Sequence, residues 1–266
     1  MNIVKRKLGW LHDKPDPRDL NFSVQFRLPV KLPPSMDLRS GCSPVEDQGN
    51  LGSCVGNAIV GADEFLEIKS GTPFKDLSRL FAYYNARRDK GADTGATIRD
   101  GIKALVKYGV CREDRWPYDV AQFAIEPPNK CYAEAYGHRI TAYQRLTTLT
   151  DMKACLAGGF PFVFGFDVFK SAMTDAVAKT GDIPMPSRWE RITGAEGGHA
   201  VMGSGYLDKS GKINFRNSWG KEWGDGGYGT LDFDYIQKYA SDFWCIQKSQ
   251  SDLYALSKIV GSSASA

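Results

Sequence analysis

Gln48-Gly-Asn-Leu-Gly-Ser-Cys54 runs without a break into VGNAIVGADEFLEIK, residues 55–69. Val55, Ala58, Ile59, Ala62, Phe65 and Leu66 recur at helical spacing, which predicts a helix over Cys54–Lys69 with Ser53 as N-cap and Gly71 beyond its end. A cysteine in the first turn of a helix meets unpaired N–H groups and the positive end of the helix dipole, and both favour thiolate over thiol. A side-chain amide six residues upstream, across a glycine-punctuated loop, folds back beside such a sulfur. With the Cys54 N–H, Gln48 would then make a two-donor oxyanion hole.

A thiolate nucleophile needs a base, and the chain has three histidines. His12 lies in a proline-rich arm. His138 is followed by Arg139, whose charge disfavours an imidazolium. His199 stands in GGHAVMGSGY, where two glycines admit close backbone approach before a strand, and Asn217 follows in RNSWG. A strand, a turn and a return strand would bring Asn217 beside His199, its amide oxygen accepting from the ring, with Trp219 covering that bond from water. Glu196, Asp208 and Asp225 are read as solvated turn carboxylates. No CxxC pair or acidic spacing makes a metal site, and no metal or organic cofactor is expected.

Outward from this stretch, Ser78–Arg87 and Thr97–Lys107 predict two further helices. Phe160–Phe166, His199–Tyr206, Lys212–Arg216 and Gly227–Phe233 read as strands. A helical first half and a strand-rich second half fit an α+β protein of two lobes. Residues 1–35 hold five prolines among charges, with Trp10, Leu11, Phe22 and Phe26 as apolar anchors, and predict an extended arm. A globular body follows over 36–250, and 251–266, ending in GSSASA, reads as a frayed tail. At 266 residues the chain can bury a sizeable core. Its net charge of +3 (34 Lys and Arg against 31 Asp and Glu) gives no argument for a nucleic-acid or membrane partner, and a monomer is expected. No apolar run reaches the ~20 residues of a membrane span. MNIVKRKLGW has no apolar stretch behind its charges, so no secretory signal is read and the compartment stays open. The five cysteines other than Cys54 are read as core residues or as one or two bridges of unassigned pairing.

Gln48-Gly49, Gly52-Ser53-Cys54, His199-Ala200-Val201 and Asn217-Ser218-Trp219-Gly220, in this order, resemble the papain-like cysteine peptidases. EDQGNLGSC, LSRLFAYYNARR, YGVCREDRWPYD and the GWLHDKPDPRD arm are most similar to the bacterial branch of that family. The Cys54–His199 separation lies within the ~130–150 residues of this arrangement, and Asn217 lies slightly beyond it. The resemblance implies a papain-like fold, with a helical N-terminal lobe, a β-barrel-like C-terminal lobe and a cleft between them. It implies hydrolysis of peptide bonds, with Cys54 as nucleophile, His199 as general base and acid, Asn217 as orienter and Gln48 as oxyanion donor. It also implies that Gly95 and Ala96 pair with a substrate backbone and that Ala200 lines the pocket for the second acyl-side residue.

Departures from the family pattern carry information too. Leu51 and Val55 stand where the family has a cysteine and a tryptophan, and Asp93–Thr97 (DTGAT) replaces its Cys-Asn-Gly-Gly segment. The usual disulfide beside the nucleophile therefore cannot form. Gly198 replaces an acidic residue often found before the histidine, which would alter the pH profile. The arm has two readings, a gate over the cleft or a passive strap on the body. Two other functions fit the residues less well: a transglutaminase-like acyltransferase, which orients histidine with Asp, and a catalytically silent papain-fold binding protein, which loses one of the reactive pair.

Overall fold

The helix that starts at Cys54 is the hub of the molecule. The computed structural model describes residues 6–25, 31–249, 251–252 and 254–256. In chain order come β1 (Trp10–Leu11), α1 (Phe22–Gln25), β2 (Ser35–Asp37), α2 (Cys54–Lys69), α3 (Arg79–Ala86), β3 (Ala96–Thr97), α4 (Ile98–Lys107) and α5 (Asn129–Ala135). The second half holds β4 (Ala142–Arg145), α6 (Leu149–Ala157), β5 (Phe162–Val168), α7 (Asp175–Thr180), β6 (Asp182–Ile183) and α8 (Arg188–Thr193). It closes with β7 (Gly197–Leu207), β8 (Lys212–Arg216), β9 (Tyr228–Asp232), α9 (Phe233–Tyr239) and β10 (Ala240–Gln247).

α2 is buried from Cys54 to Glu67, so its small residues are as important as its apolar ones. At Gly56 a Cβ would lie 3.0 Å from the Arg79 carbonyl oxygen and 3.1 Å from Tyr83, so glycine lets α3 pack backbone to backbone. Beneath this contact Glu64 and Arg79 form a buried ion pair at 2.6 Å. Glu64 also accepts from the Ser43 hydroxyl and the Leu77 N–H, so no oxygen of the carboxylate is left without a partner. α4 begins at an N-cap, Thr97, whose side chain accepts from the Asp100 N–H, and it turns Ile98, Ile102 and Leu105 into the core.

The strands run in the order β4-β10-β5-β7-β8-β9-β6, with β2 added on β7. β5 and β7 are antiparallel with Gly165 opposite Ala200 and Phe166 opposite His199. The class is α+β and papain-like; among the described residues β4 and β6 stand at opposite ends of the strand order and do not pair with each other, so closure of the barrel-like lobe is not seen.

Two other expectations change. The second half is not poor in helices: α6 to α9 lie there, and Thr148 with Asp151 and Ser187 with Glu190 form capping boxes at the starts of α6 and α8. Ser53 does not cap α2. Its side chain makes no cap bond and lies 2.5 Å from the Tyr118 hydroxyl and 3.1 Å from Asn57 Nδ2. All six cysteines are free thiols, so none of the possible bridges is formed. The GSSASA tail, Phe26 and the first five residues of the arm lie outside the described residues. No helix among the described residues is long and apolar enough to cross a membrane.

Candidate active site

Cys54 is fully buried at the first position of α2. Burial pushes its thiol up to about 11, against the pull of backbone N–H groups from Ala200, Gly9, Val55 and Cys54 itself. Ala200 is carried by β7, so the strand that bears His199 delivers its next backbone N–H to the sulfur. His199 is likewise fully buried, and burial pushes its imidazole down to about 4 despite the hydrogen bond to Asn217. The two groups expected as a thiolate and an imidazolium are thus both held towards neutral in this state. The physical reason is burial, to which the arm adds Gly9 at the sulfur and Trp10 against Gly198, the neighbour of His199.

The orienting geometry is specific. His199 Nε2 donates to Asn217 Oδ1 at 2.8 Å, and the same oxygen accepts the Ser218 N–H at 2.8 Å. This places the neutral ring's proton on Nε2. Nδ1 is buried without a hydrogen-bond partner among the described residues, so its lone pair is available. Asn217 follows the last residue of β8, whose pairing with β7 puts Arg216 opposite Met202. Trp219 stacks on the imidazole at 4.6 Å between centroids and 29° between planes, covering the Asn217 bond.

Gln48 reaches the same place from the other lobe. Its Oε1 accepts from the Ser218 hydroxyl at 2.7 Å, which turns Nε2 inward. Nε2 donates to the Leu51 carbonyl at 2.8 Å and to the Lys7 carbonyl, from the arm, at 3.0 Å. The Tyr118 hydroxyl donates to the Gln48 carbonyl at 2.9 Å and steadies the loop.

The arm threads this cleft. Arg6 pairs with Asp47 at 2.7 Å, Lys7 lies on Gln48, and the Gly9 N–H contributes to the Cys54 sulfur. Gly9 fits because it has no side chain: a Cβ there would lie 2.0 Å from the Gly52 carbonyl oxygen. The Gly9 carbonyl accepts from Ala96 N at 2.9 Å, and β1 continues as a parallel partner of β3. The Gly95–Ala96 edge, read as a site for a substrate backbone, is therefore occupied by the chain's own arm. Trp10, 3% exposed, fills a hollow where a Cβ on Gly165 would lie 1.9 Å and one on Gly198 2.6 Å from its ring. Ala200 lies buried opposite Gly165 on the floor of the same region.

Sequence reasoning missed several residues here. Ser218 was visible only as a letter within the NSWG run, Tyr118 only as one within YGVCREDRWPYD, and Trp10 was read as an apolar anchor of the arm with no place in the cleft. Asp93, whose carboxylate accepts the Gly52 N–H at 3.1 Å, gave no local signal at all.

This arrangement defines a class, and the comparisons agree with it: the chain belongs to the papain family of cysteine proteases, whose family model matches residues 32–246. It is a papain-like hydrolase of the protease kind. Among its relatives is the uncharacterized peptidase C1-like protein L477 of Acanthamoeba polyphaga mimivirus, 38% identical over 93% of this chain and 88% of that one. Mouse pro-cathepsin H is 28% identical over 87% of this chain and 70% of its own length. Among solved structures, xylellain, a cysteine protease from Xylella fastidiosa, superposes with a TM-score of 0.83 at 37% identity, over 92% of this chain and 97% of xylellain.

Proposed function

We propose that the chain is an endopeptidase working through Cys54 and His199, with residues 36–250 carrying the chemistry and residues 1–35 acting as its gate. In the open state His199 Nδ1 takes the Cys54 proton. The sulfur then attacks the scissile carbonyl carbon, and the oxygen's developing charge rests on Gln48 Nε2 and the Cys54 N–H. His199 returns the proton to the leaving amine, then draws one from the water that breaks the thioester and frees Cys54. Asn217 keeps the ring oriented and Trp219 keeps that bond dry, while Gly95 and Ala96 pair with the substrate backbone and Ala200 lines an acyl-side pocket. All of these groups come from one chain, and none of the steps calls on a cofactor.

The observation that carries this reading is the meeting of both lobes at one point: the Ala200 N–H reaches the Cys54 sulfur, and Ser218 joins Asn217 to Gln48. The gate reading is supported by the arm's chemistry in the cleft. The Gly9 N–H is directed to the sulfur, and the Gly9 carbonyl is turned towards Ala96. So placed, the arm blocks attack without undergoing it.

The test is stoichiometric labelling of the full-length reduced chain with iodoacetamide, run beside cleavage of a fluorogenic peptide. Cys54→Ala is expected to lose the label at that site and to lower turnover by 1,000-fold or more, of the order seen when a covalent nucleophile is removed. Turnover that survives in Cys54→Ala would overturn the assignment.

A further inference from the structure

Two thiols meet where α5 lies on the segment that leads to Tyr118. A Cβ on Gly109 would lie 1.8 Å from the Ala135 carbonyl oxygen, so the end of α5 rests directly on backbone there. Beside it Glu134 pairs with Arg112 at 2.7 Å and with Arg115 at 3.2 Å. Cys131, three residues before Glu134 and on the same face of α5, donates its thiol to the Arg115 carbonyl at 3.5 Å. Cys111 immediately precedes Arg112, and its thiol is hydrogen-bonded to that of Cys131.

α5 is the weak wall around this pair. It has seven residues, no side-chain bond at its N-cap, and only Cys131 and Ala135 buried. Such an element opens locally at far lower cost than a sheet. The other neighbouring thiols are sealed by comparison. Cys245 lies in β10 between β4 and β5, its sulfur accepting from Gln247 Nε2 at 3.0 Å, and Cys155, fully buried in α6, is hydrogen-bonded to it. We propose that Cys111 and Cys131 form a modification site for low-molecular-weight disulfides of the oxidised-glutathione kind, which convert the pair to an internal bridge. When α5 opens, the Cys131 thiolate attacks one glutathione sulfur, and the other half leaves as a thiolate that takes up the Cys131 proton. The Cys111 thiolate then displaces the attached glutathione in the same way, so two protein thiols are oxidised and one glutathione disulfide is reduced to two thiols. The bridge closes residues 112–130 into a loop. Within that loop the Tyr118 hydroxyl donates to the Gln48 carbonyl at 2.9 Å and lies 2.5 Å from Ser53 Oγ, and the Trp116 carbonyl accepts the Ser78 hydroxyl at 2.5 Å. Oxidation thereby braces, from behind, the loop that precedes Cys54.

The full-length Cys54→Ala chain carries the test, since removing that thiol keeps the inference apart from the peptidase reading. The folded chain is incubated with oxidised glutathione, capped with iodoacetamide and digested with trypsin. The expected product is YGVCR (residues 108–112) joined to CYAEAYGHR (residues 131–139) with loss of two hydrogens. The bridge should raise Tm by about 5–10 °C, as for a loop of this length, and dithiothreitol should reverse both changes. With Cys111→Ser added, glutathione should stay attached to Cys131 and Tm should not rise. If that variant does not fold, the joined peptide and its Tm shift decide the matter. Absence of the joined peptide, bridging of Cys155 to Cys245 in its place, or a bridge that leaves Tm unchanged overturns the inference.

Discussion

The front and rear of the arm are held by different physics. Residues 6–12 lie in the cleft by shape: a two-residue ladder, a glycine that admits a carbonyl oxygen, an indole in a hollow, and ion pairs at the surface. Residues 13–22 are built into the body. The buried Asp13 accepts from Trp244 Nε1 at 2.9 Å and from Arg99 N at 3.1 Å, and its own N–H donates to Asp242 at 2.7 Å. Arg145 joins Asp242 and Asp19, its backbone N–H donates to the Leu20 carbonyl, and Phe22 is fully buried. Burial and the Asp242 charge hold the Asp13 carboxyl above its usual range. The difference teaches that closing the cleft and anchoring the arm are separable tasks. On the proposed gating, the front would leave while the rear stays, with Pro15 and Pro17 stiffening the start of the rear.

Gly9→Val should divide the two most sharply, since any side chain there meets the Gly52 carbonyl. With the arm seated the thiol stands near 11, against an ordinary 9.0. Displacing the arm returns water to the sulfur and relieves that shift. The variant should therefore react with iodoacetamide at least tenfold faster at pH 8. The parent's rate should go on climbing at a pH where the variant's has levelled off. Superimposable profiles would mean that the front does not set the environment of the sulfur. From the acid side, His199 is held near 4 against 6.5, so the covered state binds fewer protons than an open one. It should therefore weaken as pH falls through that window.

Asp13→Ala tests the rear. Loss of its buried hydrogen bonds should cost about 2 kcal/mol and lower Tm by about 4–8 °C, with the labelling profile of Cys54 unchanged. A rise in labelling to match Gly9→Val would show the halves to be one unit. Lys7→Ala should do least. A half-exposed ion pair is worth about 1 kcal/mol or less, which limits the gain in labelling to roughly fivefold, measured in the same assay.

The hub helix was legible because Cys54–Lys69 satisfies periodicity along its whole length, and β7, β8 and β9 because an apolar or alternating run follows a glycine in each, at Gly198, Gly211 and Gly227. β10 was not. Its pairing with β5 shifts between Ser241 and Trp244, and Asp242 has φ 56°, so the alternation that marks a strand is broken. Asn217 was placed by strand-turn-strand reasoning, and its bond to His199 lies where that reasoning put it. Asp93 was beyond such reasoning: a carboxylate in a turn acquires meaning only from Gly52, Tyr83 and Lys7, which lie 41, 10 and 86 positions away in the chain.

The Ser53 hydroxyl bonds with Tyr118 and with the Asn57 side chain of α2, and so leaves the first amides of the helix without the side-chain acceptor that most helices place there. Those amides remain polarised towards the sulfur. A better cap would steady the helix and quench that field in the same stroke. On the proposed role of Cys54, local stability and nucleophile strength are therefore in competition at this one residue, and the rest of α2, buried from Cys54 to Glu67, makes good the missing cap.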